Sequence, residues 1–244
     1  MLRGTVLCAV LAGLCVIVTL CPVSCQLSQE DAETIVELHN TYRGQVVPSA
    51  AYMTKMKWDE NLKIQAESYA VKCVWDYDQD LNLDEKAMGQ NIYNSKDPFN
   101  ATKAMEQWFL QNISYNFNHK PSCQDEILCR HYIQMVWANS LSVGCALHRC
   151  DTMERLSDKP TDFLVCNYRP AGYFGDKKPY ERGEWCSRCP ENLPRCDENL
   201  CVPESSEDVD EQTTDREQPQ SNVGRVSTSL ILSTSLVTLL LLEF

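Results

Sequence analysis

Cys129-Arg130-His131-Tyr132-Ile133-Gln134-Met135-Val136-Trp137 is a half-polar helical run that carries one histidine among apolar and amide side chains. A histidine in such a run is a candidate metal ligand or general base. Either role needs carboxylates or further histidines converging on it. What the chain brings to His131 therefore bears on whether it can do chemistry at all.

Around this run the elements follow from period and caps. Ser28 with Asp31 three residues on resembles a capping box, and Ile35, Leu38 and Tyr42 follow at helical spacing. Asp59 can cap a second helix whose Leu62, Ala66, Tyr69, Ala70 and Cys73 share a face. A third helix, from about Asn100 to Ile113, turns Ala101, Ala104, Met105, Trp108 and Phe109 inward. Val143–Leu147 and Phe163–Tyr168 are short, β-branched and aromatic-rich, which predicts strands. Helices first and strands late predict an α/β fold, a sheet covered by helices in an α-β-α sandwich.

The ends carry different signals. Arg3, an apolar run from about Thr5 to Leu20, and small residues at Val23 and Cys25 read as a secretory signal peptide over residues 1–25. At the other end Leu230–Leu242 is apolar apart from Ser and Thr, but its 13 residues are short for a membrane span, which needs about 20. Small residues upstream at Asn222-Val223-Gly224, with a polar spacer, match a glycosylphosphatidylinositol attachment signal with Asn222 as the attachment site and 223–244 removed. A short tilted span and a soluble secreted product are the alternatives. Before it, residues 203–222 form an acidic stalk; from Glu204 to Gln220 seven acids face one Arg, with no aromatic residue to order them.

Of the 14 cysteines, Cys8, Cys15, Cys21 and Cys25 leave with the signal, and the ten that remain suit a disulfide framework in an oxidising compartment. If all ten pair, no thiolate is left for zinc or nucleophilic catalysis. Residues 26–178 make the main domain, and 179–202, with four cysteines in 16 residues, a disulfide-held appendage with little core of its own. Asn100-Ala101-Thr102 and Asn112-Ile113-Ser114 are glycosylation sequons at Asn100 and Asn112. The net charge of −12 with no basic stripe disfavours nucleic-acid partners. There is no phosphate-cradling glycine loop and no Gly-x-Ser-x-Gly elbow.

The run 129–137 resembles the first signature of the CAP superfamily (cysteine-rich secretory, antigen 5 and pathogenesis-related proteins), and Phe163-Leu164-Val165-Cys166-Asn167-Tyr168-Arg169-Pro170-Ala171-Gly172 resembles its second. His39-Asn40-Thr41-Tyr42-Arg43 and Trp58-Asp59-Glu60-Asn61-Leu62 are similar to its opening motifs, and 179–190 to the hinge of animal members. The resemblance covers roughly residues 30 to 202 and implies the same α-β-α sandwich. It also implies the pairs Cys73–Cys150, Cys123–Cys129, Cys145–Cys166, Cys186–Cys196 and Cys189–Cys201.

Many members of that family carry two histidines and two acids that can hold zinc. By motif, His131 matches one histidine, whereas the other position is Tyr77 and the two acids are Gln90 and Gln111. One imidazole among neutral side chains offers no charge to offset a cation, and amides are neither acids nor bases near neutral pH. Glutamine nevertheless copies the shape and hydrogen bonding of glutamate, so the cleft can persist without its charge. His39, His119 and His148 read as structural or loop residues. The expectation is a non-catalytic extracellular module without cofactor or metal, held at the membrane by a lipid, with an unknown extracellular protein or a sterol or lipid as partner. The alternatives are a secreted protease inhibitor, on the resemblance to members named for it, and a sterol- or lipid-binding protein, on the activity of some relatives.

Overall fold

The computed structural model describes residues 26–82, 88–172 and 177–204. The predicted leader, the anchor site Asn222 and the stalk beyond Glu204 lie outside the described residues. The described residues between 26 and 204 belong to one compact unit.

The helices start where side chains satisfy their first N–H groups. Helix α1 spans Gln29–Arg43, and its N-cap Ser28 accepts the Asp31 N–H at 3.0 Å. Helix α2, Glu60–Ala70, is capped by Asp59, which accepts from Asn61 and Leu62. Helix α3, Ala101–Phe109, is capped by Asn100, which accepts the Lys103 N–H at 2.8 Å. Helix α4 is short, Arg130–Met135.

Strands β1 (Lys57–Trp58), β2 (Gly89–Ser95), β3 (Ser142–Cys150) and β4 (Thr161–Arg169) form a sheet in the order β1-β3-β4-β2, with only the β1–β3 pair parallel. Two cores follow from strand alternation. Phe163 and Val165 of β4, with Ala146 and Ile92, pack under α2 beside Ala66, Tyr69 and Ala70. Leu164, Cys166 and Tyr168 point the other way, with Val143, Cys145 and Leu147, into the larger core with residues of α1, α3 and α4. The α-β-α sandwich is thus written in the two faces of β4. Gly144 lets α2 approach closely, because a Cβ there would lie 2.3 Å from Asp59 O and 2.4 Å from Lys63 N.

The order of elements differs from helices first and strands late, because β1 and β2 are interleaved with the helices. Strand β2 escapes periodicity because Gln90 and Asn91 are buried amides and only Ile92 and Tyr93 are apolar. Helix α3 ends at Phe109 and not at Ile113; Leu110–Ser114 tightens into a 3₁₀ turn, where Asn112 and Ser114 are weak helix formers. Cys73 lies beyond α2 at φ 52°, yet joins the same core through its bond to Cys150.

Five disulfides link Cys73 to Cys150, Cys123 to Cys129, Cys145 to Cys166, Cys186 to Cys196 and Cys189 to Cys201. The appendage carries a hairpin, β5 (Arg195–Asp197) and β6 (Leu200–Val202). It borrows core from the main domain: Leu200 is buried in the larger cluster, and the Cys201 N–H donates to Met53 O at 2.7 Å.

Arg43 fixes how α4 meets α1. It is fully buried without a carboxylate partner among its hydrogen bonds. Its guanidinium donates to the carbonyls of Thr54, Met135, Trp137, Ala138 and Ser140 at 2.8–3.2 Å, and to Thr54 Oγ1. Burial pulls its pKa down to about 9, and the cation is held by backbone carbonyl dipoles and one hydroxyl.

Candidate functional site

The cleft is assembled from four elements. His131 is the second residue of α4, Gln111 lies in the 3₁₀ turn after α3, Gln90 is on β2, and Tyr77 lies between α2 and β2. The structure brings three of the four together. Gln111 Oε1 accepts the His131 backbone N–H at 3.0 Å, which turns its amide nitrogen toward His131 Nδ1 at 2.9 Å. The ring must therefore accept at Nδ1 and carry its proton on Nε2, which donates to Tyr77 Oη at 2.9 Å. Each ring nitrogen is thus engaged by a neutral partner.

Gln90 stands one step away. Its Oε1 accepts the Asp78 N–H at 2.9 Å, and its Nε2 donates to Asn167 Oδ1 at 3.0 Å. It ties the Tyr77 segment to the sheet and is not a direct hydrogen-bond partner of the imidazole.

Desolvation drives the His131 pKa down to about 4, and the adjacent Arg130 pushes in the same direction. Arg130 also lies over the Tyr77 ring, 3.7 Å from its centroid. Burial raises the Tyr77 pKa, against the pull of Arg130. At neutral pH the inner cleft therefore holds a neutral imidazole, a neutral phenol and two amides. The nearest cation is Arg130.

A second histidine is joined to the first through the core. His39 Nδ1 donates to Ile35 O at 2.7 Å, so Nε2 accepts from Tyr168 Oη at 2.9 Å. Asn91 Nδ2 donates both to Tyr168 Oη and to the His131 carbonyl. Burial lowers the His39 pKa to about 4 and raises that of Tyr168. The partners of His39 are thus a backbone carbonyl and a phenol, which makes it a structural residue of the core. Sequence reasoning passed over Asn91, Asn167, Tyr168 and Arg130. Asn91 and Arg130 each sit beside a motif residue, which is the available signal; Asn167 and Tyr168 lie in a strand and in the second signature stretch, where nothing local marks them as partners of the histidines.

The donor set does not fit zinc. That ion wants thiolate, imidazole or carboxylate ligands, and this cleft offers one imidazole already bonded at both nitrogens. Among the described residues, the two groupings of potential ligands are Cys73, His148 and Cys150, and Cys186, Cys189 and Cys201. Every cysteine in them is in a disulfide. Two cavities lie elsewhere. One of about 1000 Å³ runs along α1 beside Trp58, and one of about 740 Å³ is lined by Tyr52, Trp137 and Tyr180.

The chain finds matches among known proteins in sequence and in fold. A family model described as the cysteine-rich secretory protein family (CAP) covers residues 36–168, more than half of the chain. The chain belongs to the cysteine-rich secretory protein family. Within that family it is 37% identical to peptidase inhibitor 16 of Homo sapiens over 178 residues, which is 72% of this chain and 37% of that protein. It is 36% identical to peptidase inhibitor 15 of Homo sapiens over 188 residues, 72% of each chain. The chain thus spans well under half the length of the peptidase inhibitor 16 sequences it matches. Among solved structures, that of NaASP2 with Zn²⁺ aligns with a TM-score of 0.57 and 28% identity, covering 72% of this chain and 97% of NaASP2. The CAP fold is accordingly the same mixed α/β architecture, with a disulfide cluster at the C-terminal end of the described residues.

Proposed function

We propose that this protein is a non-catalytic extracellular CAP module, a binding or signalling domain whose metal cleft has been neutralised. The observation that carries this reading is the saturated imidazole: Gln111 and Tyr77 take both nitrogens of His131 with uncharged groups. A general base needs a free lone pair near its working pH, and a metal needs anionic company. Neither is on offer. A solved structure similar to this chain, NaASP2, is described with Zn²⁺; in this chain the residues around His131 are neutral. Titration calorimetry with zinc chloride tests the reading. No heat beyond dilution at micromolar protein is expected, and micromolar or tighter binding overturns it.

Placement at the cell surface through a lipid on Asn222 belongs to the same proposal, supported by the small-residue and apolar pattern at 221–242. Release of the expressed protein by phosphatidylinositol-specific phospholipase is the expected result. The partner is an extracellular protein, with sterol or lipid as the other ligand class. Saturable cholesterol capture by the soluble domain separates the two.

A second reading, protease inhibition, is favoured by the names of the relatives, peptidase inhibitors 16 and 15. Inhibition of a member of a broad protease panel at stoichiometric concentration would establish it.

A further inference from the structure

Two short turns beside α4 leave large apolar side chains in water. In Leu110–Ser114, Leu110 is 58% and Ile113 82% exposed; in Glu126–Leu128, Ile127 is 74% and Leu128 54% exposed. The turns lie against the same end of α4. Gln111 accepts the His131 backbone N–H, and Cys129 Sγ lies 3.2 Å from Ser114 O, with Leu128 the residue before Cys129. Single exposed aliphatics need no explanation, but four gathered at one helix start form a rim that invites association.

The sequence places a cover in the middle of that rim. Asn112 stands between Leu110 and Ile113, with Ser114 two residues on, in the acceptor pattern for N-glycosylation. We propose that Asn112 carries an N-linked glycan whose first N-acetylglucosamine units lie over Leu110, Ile113, Ile127 and Leu128, and that this glycan is the rim's permanent occupant. In the linkage, Asn112 Nδ2 bonds to the anomeric carbon of a lipid-pyrophosphate-linked oligosaccharide. The bond from that carbon to the pyrophosphate oxygen breaks, and one amide proton is released. The C–H faces and acetamido methyl groups of the sugars then pack on aliphatic carbons, while their hydroxyls face water. Asn100 is a built-in comparison. Its Oδ1 caps α3, and its sequence neighbours from Lys96 to Lys103 include none of the large exposed aliphatics. This inference is independent of the neutral cleft.

The test uses the chain exported by human cells, collected from the medium or released from the cell surface by phosphatidylinositol-specific phospholipase. Glycopeptide mass spectrometry should find Asn112 occupied. Enzymatic removal of glycans from the native protein, and separately Asn112→Gln, should each raise bis-anilinonaphthalene sulfonate fluorescence at least about two-fold and lower the monomer fraction, with circular dichroism unchanged. Asn100→Gln should do neither. Adding Ile113→Thr and Ile127→Thr to Asn112→Gln should return the dye signal to its starting level; because that variant is judged on recovery, misfolding cannot imitate it. An unmodified Asn112 in the secreted protein overturns the proposal, as does a dye response no greater than that of Asn100→Gln. So does a fully glycosylated chain that binds phosphatidylcholine vesicles, or dimerises, in a manner abolished by Ile113→Asp.

Discussion

Gln111 performs two tasks that a carboxylate could not perform together. Its carbonyl oxygen receives the His131 backbone N–H, while its amide nitrogen gives a proton to Nδ1. A glutamate would accept at both places and so would call for a proton on Nδ1. Gln111→Glu should therefore raise the His131 pKa from about 4 to above 6.5, since an anion now faces the ring and opposes its desolvation. Nitrogen-15 NMR of the imidazole checks this: the wild-type ring should stay a neutral Nε2–H tautomer down to about pH 4, and the variant should be protonated near neutrality. An unchanged titration would mean that the amide does not set the tautomer. Of this arrangement the sequence shows that Tyr77, Gln90 and Gln111 are uncharged side chains. It could not show that Gln90 turns to Asp78 and Asn167, because that depends on where β2 lies against β4.

At the scale of elements, α2 sits on the sheet through a contact between backbones. Gly144 of β3 faces Asp59 O and Lys63 N, and neither can move without lifting the first turn of α2. Gly144→Ala should therefore cost about 2–3 kcal/mol, seen as a lower urea midpoint with an unchanged slope. A loss below half of that would show that α2 can slide. The capped helices and the apolar strands β3 and β4 were legible because their signals are local: a cap side chain, a period, a β-branched run. Strand β2 was not. Its buried amides acquire partners only through tertiary contacts, such as Gln90 with Asn167 and Asn91 with Tyr168, so hydropathy marks it as loop. The end of α3 was misplaced for a related reason, since Gln111 is held by a residue 20 positions away.

For the whole molecule, the two neutral histidines set an acid limit. Both have pKa values near 4 when folded and about 6.5 when unfolded. Below 6.5 the unfolded chain takes up protons that the native state refuses, so stability is complete above that pH and falls as pH drops from 6.5 toward 4. The loss by pH 5 should be roughly 2 kcal/mol per histidine, in a range where most carboxylates remain ionised. Urea unfolding from pH 7.5 to 5, with disulfides intact, reads it; a flat profile would sink the argument. Arg43 has a different consequence, for cooperativity. Its carbonyl cage draws on the segment at Thr54 and on 135–140 at once. If the segment 135–140 were to open alone, the cation would keep only Thr54 as partner, and if α1 were to open alone, a ring of carbonyls would lose its donor. Neither partial state is tolerable. Helix α1 and the segment 135–140 therefore open and close as one event, and fraying where α4 ends is suppressed by a residue that never touches the cleft.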